Sequence, residues 1–183
     1  MPSFRHFALL YKEQGLCYSK RMSKNNEKTN VCRLLDGKKL AYVEHTYPPE
    51  EAVSAEEVAA YLGQNPAQVF KTLVTVGKSG QHYVFVIPGP ASLSLKSAAK
   101  AVGEKSVAML PQRELLPLTG YVHGGCSPIG MKKFFPTVVD ESAEKFEHII
   151  LSAGKRGYQV ELSTEVLGKM IRMPHSRSER TER

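Results

Sequence analysis

The chain has 183 residues, 42% of them hydrophobic and 23% charged, a composition that suits one compact domain with its own core and excludes bulk disorder. Its formal charge of +7 is uneven: residues 25 to 168 hold fifteen basic and fifteen acidic side chains, so the excess lies at the two ends, suited either to counterion-release capture of a polyanion or to plain solvation. Three cysteines without C-x-x-C spacing (Cys17, Cys32, Cys126), no apolar run near the roughly 18 residues of a membrane span, and no apolar leader with a cleavage site exclude a disulfide framework, a spanning helix and a secretory signal, and point to the cytoplasm.

Residues 1–21 mix aromatic, aliphatic and basic side chains, and the polar stretch from Met22 reads as a second beginning. The first 21 residues are therefore either an extension outside the functional protein or an amphipathic docking segment. The spacing next predicts a helix over 29–35, stopped by Gly37, then a strand over 41–46 before a turn at Pro48 and Pro49. Ser54 and Glu57 form a capping box ahead of an apolar run that ends at Gly63, which predicts a second helix. Asn65 and Pro66 open one further turn. Two β-rich runs, 69–76 and 82–87, flank Gly77, Lys78, Ser79 and Gly80 and predict an antiparallel hairpin with Lys71 near its entry.

Ser94 caps a helix to Val102 that Gly103 ends, 107–110 reads as a brief strand, and Pro111 opens a shorter helix through Leu116. Strands over 134–140, 148–152 and 158–162 follow, the last two joined by a tight turn at 153–157. Ser163 then caps a final helix, and Pro174 ends ordered structure. Strands and helices in irregular order, with no internal repeat, predict a single α+β domain with a mixed sheet over 22–173, followed by a basic tail at 174–183.

Three places concentrate residue types that build sites. Gly124, Gly125 and Gly130 surround Ser127 and Pro128, and such a loop either makes a simple turn or aims main-chain N–H donors at an oxygen or anion. Lys71 lies in an apolar strand. It is either an edge-strand guard against aggregation or a partly buried ammonium able to bind an anion or to stabilise charge forming on a carbonyl oxygen. Thr72 points to the opposite face of a regular strand, so both residues serve one site only near a strand end or bulge. Ser152 precedes Ala153, Gly154, Lys155, Arg156 and Gly157, again small residues beside cations, which a plain basic turn also explains. Cys126 is either a small filler or a nucleophile without an evident base, and Ser127 lacks the elbow of a serine nucleophile. The six histidines show neither i,i+4 pairing nor cysteine partners at zinc spacing, so neither a metal nor another cofactor is expected.

Taken in order, His45-Thr46-Tyr47, Val69-Phe70-Lys71-Thr72-Leu73, Gly120-Tyr121, the run from Gly124 to Lys133 and the run from Ser152 to Gly157 resemble the YbaK/ProX aminoacyl-tRNA editing superfamily. The resemblance spans residues 29–170. It implies a curved, barrel-like mixed sheet flanked by helices, acting in trans on mischarged tRNA, with Cys-tRNA(Pro) as substrate and no cofactor. It also implies that Lys71 is the key functional residue, with Tyr47, Thr72, Gly124, Gly125, Ser127, Ser152 and Gln159 at substrate-binding positions. Gln159 stands where the family carries an aspartate, which removes a charge and keeps hydrogen bonding. In this family the substrate's own thiol is thought to attack its ester and leave as a thiolactone, which fits a site without a catalytic triad.

Two other readings remain open at this level: an Ala-tRNA(Pro) hydrolase using an activated water, and a catalytically silent module that binds tRNA or a synthetase. Whether a prolyl-tRNA synthetase partner supplies tRNA specificity is likewise open. Neither a membrane nor a metal is expected as a partner.

Overall fold

The computed structural model describes residues 28–49 and 54–171. The expectations for residues 1–21, for a start at Met22 and for an end at Pro174 lie outside the described residues.

Local chemistry sets most of the element ends. Thr29 accepts the Cys32 N–H at 3.2 Å and caps α1 (Asn30–Gly37), which buries Val31, Cys32 and Leu35 on one face. After β1 (Val43–Thr46), Ser54 and Glu57 complete both halves of a capping box on α2 (Ala55–Leu62), at 3.1 and 2.8 Å. Gly63, at φ 65°, closes that helix in the left-handed conformation. A 3-10 turn (Pro66–Gln68) capped by Asn65 leads into β2 (Phe70–Gly77) and its hairpin partner β3 (His82–Pro88). Then follow α3 (Leu95–Val102), β4 (Val107–Met109), α4 (Gln112–Thr119), β5 (Thr137–Val139), a 3-10 turn (Glu141–Lys145), β6 (Ile149–Ser152), β7 (Tyr158–Leu162) and α5 (Thr164–Met170).

Gly37 falls inside α1 as its last residue, with Lys38 as the C-cap, and β1 begins at Val43 rather than at residue 41; two elements differ more from the sequence expectation. Helix α4 runs through Pro117 to Thr119, because the Thr119 hydroxyl donates to Leu115 O at 2.7 Å and the Gly120 N–H to Leu116 O at 2.9 Å, which completes the last turn. Strand β5 keeps three residues of the seven predicted. Pro136 has no N–H to donate and enters the sheet only as an acceptor, taking the Val84 N–H at 2.9 Å, while Phe134 stays 78% exposed.

The strands form two sheets, β1-β7-β6 and β4-β2-β3-β5. All pairs are antiparallel except β3 with β5. A parallel bridge between Val69 and Ile150 joins the sheets. The main core, with Val84, Val86, Ile129, Ile149, Leu151, Val160 and Leu162, lies against both sheets and is closed by α1 and α5.

One feature of the topology positions the site. Along one edge β2 is paired with β3 over its full length, but along the other it meets β6 only at Val69 and β4 only from Thr75 onward. Among the described residues nothing pairs with that edge between Phe70 and Leu73. The two sheets therefore part there.

Candidate active site

A cavity of about 220 Å³ occupies this gap, with Phe70, Lys71, Thr72 and Leu73 along one wall. Opening on an edge rather than a face, it receives side chains from both sides of the strand, which is how Lys71 and Thr72 reach one space without a bulge. The roof is the start of α2, through Ser54, Ala55 and Val58. The opposite wall comes from the three-stranded sheet. There Gln159 stands in register between His45 on β1 and Ser152 on β6, so the three share one face.

Lys71 is half-buried, and its ammonium donates to the Gly89 carbonyl at 2.7 Å. That carbonyl is fixed in turn, because the Gly89 N–H donates to Val69 O at 2.7 Å. A Cβ at Gly89 would lie 2.9 Å from the Ala55 Cβ and 3.2 Å from Val69 O, so only glycine lets this turn pass between β2 and α2. The lysine is thus held by a rigid acceptor while its remaining N–H bonds are free to meet a ligand.

Two polar groups beside it are left over. Thr72 Oγ1 and Gln159 Oε1 are buried without a hydrogen-bond partner among the described residues, and Gln159 is only 5% exposed. An unpaired buried oxygen costs about 1–3 kcal/mol. Two of them lining one cavity mark it as a place where a ligand completes the hydrogen bonding. Farther along the Gln159 face, His45 and Glu161 pair at 2.8 Å. The hydrogen bond from His45 holds the Glu161 carboxyl below its usual range, with smaller help from His45 and His148 charge against the opposing effect of burial.

The glycine-rich loop supplies the third side through His123, Gly124 and Cys126. Arg156 clasps it by donating from Nε to His123 O at 2.8 Å. The fit is tight: a Cβ on Gly125 would lie 3.1 Å from the Arg156 main-chain nitrogen, and one on Gly124, at φ 80°, 3.0 Å from Arg156 Nε. Gly125 and Ser127 are not on the cavity wall. The Gly125 N–H is spent on Val122 O at 3.0 Å, and Ser127 is fully buried, its Oγ accepting the Ile129 N–H at 3.3 Å. Both shape the loop from behind. Ser152 Oγ accepts the Gly154 N–H at 3.2 Å and faces the cavity, as does Tyr47.

The structure therefore gathers Tyr47, Lys71, Thr72, Gly124, Ser152 and Gln159 around one space. It adds residues the sequence did not single out: His123, Leu115, Tyr158, the start of α2 and the Gly89 carbonyl. His123 adjoins the glycine loop, a signal in plain view. Gly89 lies 18 residues from its lysine and carried none.

Chemically, the lining among the described residues has one fixed cation, neutral oxygens, and neither aspartate nor glutamate. Burial pushes the Cys126 thiol up to about 12, so it is protonated at neutral pH and behaves as a small apolar group rather than as a thiolate. Such a site can orient an already activated carbonyl and stabilise its oxyanion. It suits a nucleophile that arrives with the substrate or as water.

A family model described as an aminoacyl-tRNA editing domain matches residues 49–170. EbsC of Enterococcus faecalis, named as a proposed Cys-tRNA(Pro)/Cys-tRNA(Cys) deacylase, is 49% identical over 145 residues, which is 79% of this chain and 88% of that protein. A proline–tRNA ligase of Geobacter sp. strain M21 is 31% identical over 111 residues, covering 61% of this chain but 19% of the ligase. The crystal structure of a proposed trans-editing enzyme for prolyl-tRNA synthetase shares the fold, with a TM-score of 0.67 at 24% identity over 76% of this chain and 89% of that one. The chain belongs to the aminoacyl-tRNA editing domain family.

Proposed function

We propose that this protein is a trans-acting aminoacyl-tRNA deacylase that clears Cys-tRNA(Pro), with Lys71 as the residue on which catalysis depends. The observation that carries the proposal is the Lys71 ammonium, held by Gly89 O at 2.7 Å within a cavity where Thr72 and Gln159 have unpaired buried oxygens. A cavity of about 220 Å³ suits a small side chain joined to ribose. The 49% identity to EbsC over 88% of that protein supports cysteine as the acyl group.

In the proposed reaction the substrate's thiol sulfur attacks the ester carbonyl carbon. The C–S bond forms, the bond to the ribose oxygen breaks, and the thiol proton ends on that oxygen, leaving free tRNA and a cysteine thiolactone that water opens. Lys71 stabilises the negative charge that gathers on the carbonyl oxygen, and the Gly124 wall confines the acyl group. No side-chain nucleophile is required, in keeping with a Cys126 thiol pushed up to about 12. Tyr47 and Ser152, which line the cavity, serve as substrate-binding positions, and prolyl-tRNA synthetase is the partner from which mischarged tRNA would be received.

The test is deacylation of Cys-tRNA(Pro) and Ala-tRNA(Pro) side by side. Rapid loss of the cysteinyl ester with slow loss of the alanyl ester is the expected result. Equal rates would remove the substrate thiol from the mechanism, and no cleavage of either ester would overturn the enzymatic reading.

A further inference from the structure

The open edge of β2 has a polarity that can be worked out from its register. Gly89 donates to Val69 O at 2.7 Å and Gly77 to Gln81 O at 2.8 Å, so the odd-numbered residues of β2 exchange hydrogen bonds with β3. The even-numbered residues turn their N–H and C=O to the other side, as Val74 confirms by accepting the Leu110 N–H at 3.0 Å. Thr72 falls in this second set. Its N–H and C=O point into the stretch where β6 has ended and β4 has not begun. Among the described residues they have no main-chain partner, and Thr72 lines the cavity. On the facing wall is Gln159, whose Oε1 is unpaired and shielded, so that a half-turn of its amide brings the oxygen to the cavity.

An aminoacyl ester carries a carbonyl oxygen and an α-ammonium, one acceptor and one strong donor on adjacent carbons, arranged as on one residue of a strand. The carbonyl oxygen suits the Thr72 N–H and the Lys71 ammonium. The ammonium needs acceptors. Among the described residues no carboxylate lines the cavity wall, and the acceptors on hand there are the Thr72 carbonyl and Gln159 Oε1. A thiol or methyl side chain makes no such demand, and the ribose hydroxyls remain at the mouth. A buried ammonium left without acceptors would be strongly disfavoured, so the orphan oxygens and the ligand's donor complete each other.

We propose that this cavity reads the free α-amino group of its substrate: the ammonium donates to the Thr72 main-chain carbonyl and to Gln159 Oε1, as though the aminoacyl group added one residue to β2. N-acylated aminoacyl-tRNA and peptidyl-tRNA are then refused, which protects the products of translation from a deacylase with an otherwise permissive site. The inference rests on the deacylase reading for the identity of its ligand.

The test uses tRNA(Pro) carrying cysteine through a hydrolysis-resistant 3′-amide, with the amine free or acetylated, titrated against the full chain. Acetylation is expected to weaken binding about tenfold or more, the scale of a lost hydrogen bond to a charged group. In Gln159→Leu the free-amine ligand should weaken similarly and the difference between the two ligands shrink below about threefold, on the same scale. Gln159→Glu should preserve the discrimination. Equal affinities for the two ligands in the wild type, or an undiminished ratio in Gln159→Leu, would overturn the proposal. Cleavage of ordinary Cys-tRNA(Pro), measured in parallel, separates the two ideas: cleavage with unselective binding defeats this inference alone, and selective binding without cleavage defeats only the catalytic reading.

Discussion

Replacing Lys71 with methionine keeps an unbranched side chain one atom shorter and removes its charge and its N–H donors. In the folded protein this deletes one visible contact, the 2.7 Å bond to Gly89 O, and leaves that carbonyl still anchored through the Gly89 N–H to Val69 O. A hydrogen bond from a charged donor contributes about 1.5–3 kcal/mol to stability. Freeing a half-buried ammonium from its desolvation offsets part of that, so a net loss of about 1 kcal/mol is expected, or about 2–4 °C in Tm for a chain of this size. The transition state suffers more. Removing one preorganised donor from a developing oxyanion costs about 2.7–4 kcal/mol, which corresponds to a fall of roughly 10²–10³ in kcat. Single-turnover deacylation of Cys-tRNA(Pro), run beside a thermal melt, measures both. Lys71→Met within tenfold of the wild-type rate, or a rate that falls only as far as the folded fraction does, would refute the reasoning.

Cys126→Ser should keep deacylation within about threefold, since a thiol pushed up to about 12 is about 10⁻⁵ ionised at pH 7, and a hundredfold loss would instead make it the nucleophile. Gly154→Ala should destabilise the fold by roughly 2–4 kcal/mol, because its φ is 87° and the new Cβ would lie 2.7 Å from Tyr121 Cε1; chemical denaturation checks this. The Glu161 carboxyl is held below its usual range by His45, so the stability it contributes is present above the unfolded carboxylate value near 4.5 and disappears as pH falls through the lower folded value. His45→Phe should accordingly cost about 1 kcal/mol at pH 6 and progressively less below about pH 4, and a deficit that stays constant into acid would count against the pair.

The elements that rest on neighbouring residues were legible before any coordinates. Ser54 with Glu57, Gly63, Ser94 with Gly103 and Ser163 mark helix ends that the structure reproduces, since caps and left-handed glycines act over three or four positions. Where a proline enters a strand or a helix the reading slipped: Pro136 confined β5 to three residues, and Pro117 failed to stop α4 because Thr119 and Gly120 bonded across it. At the site, the residue types were visible and their partners were not. Gly124 and Gly125 look alike in sequence, yet one faces the cavity and the other spends its N–H on Val122 O. Nor could Gln159 be seen as an orphan acceptor, because its isolation depends on three strands meeting a helix. Contacts between distant segments, such as Val69 with Ile150 or Lys71 with Gly89, follow from the sheet as a whole.

That seam between the sheets bears on more than placement. The two plates share one main-chain bridge, Val69 with Ile150, and the packed core behind it, and a molecule lodged between Thr72 on one and Gln159 on the other would rivet them together on the open side. Substrate would then be a temporary structural member.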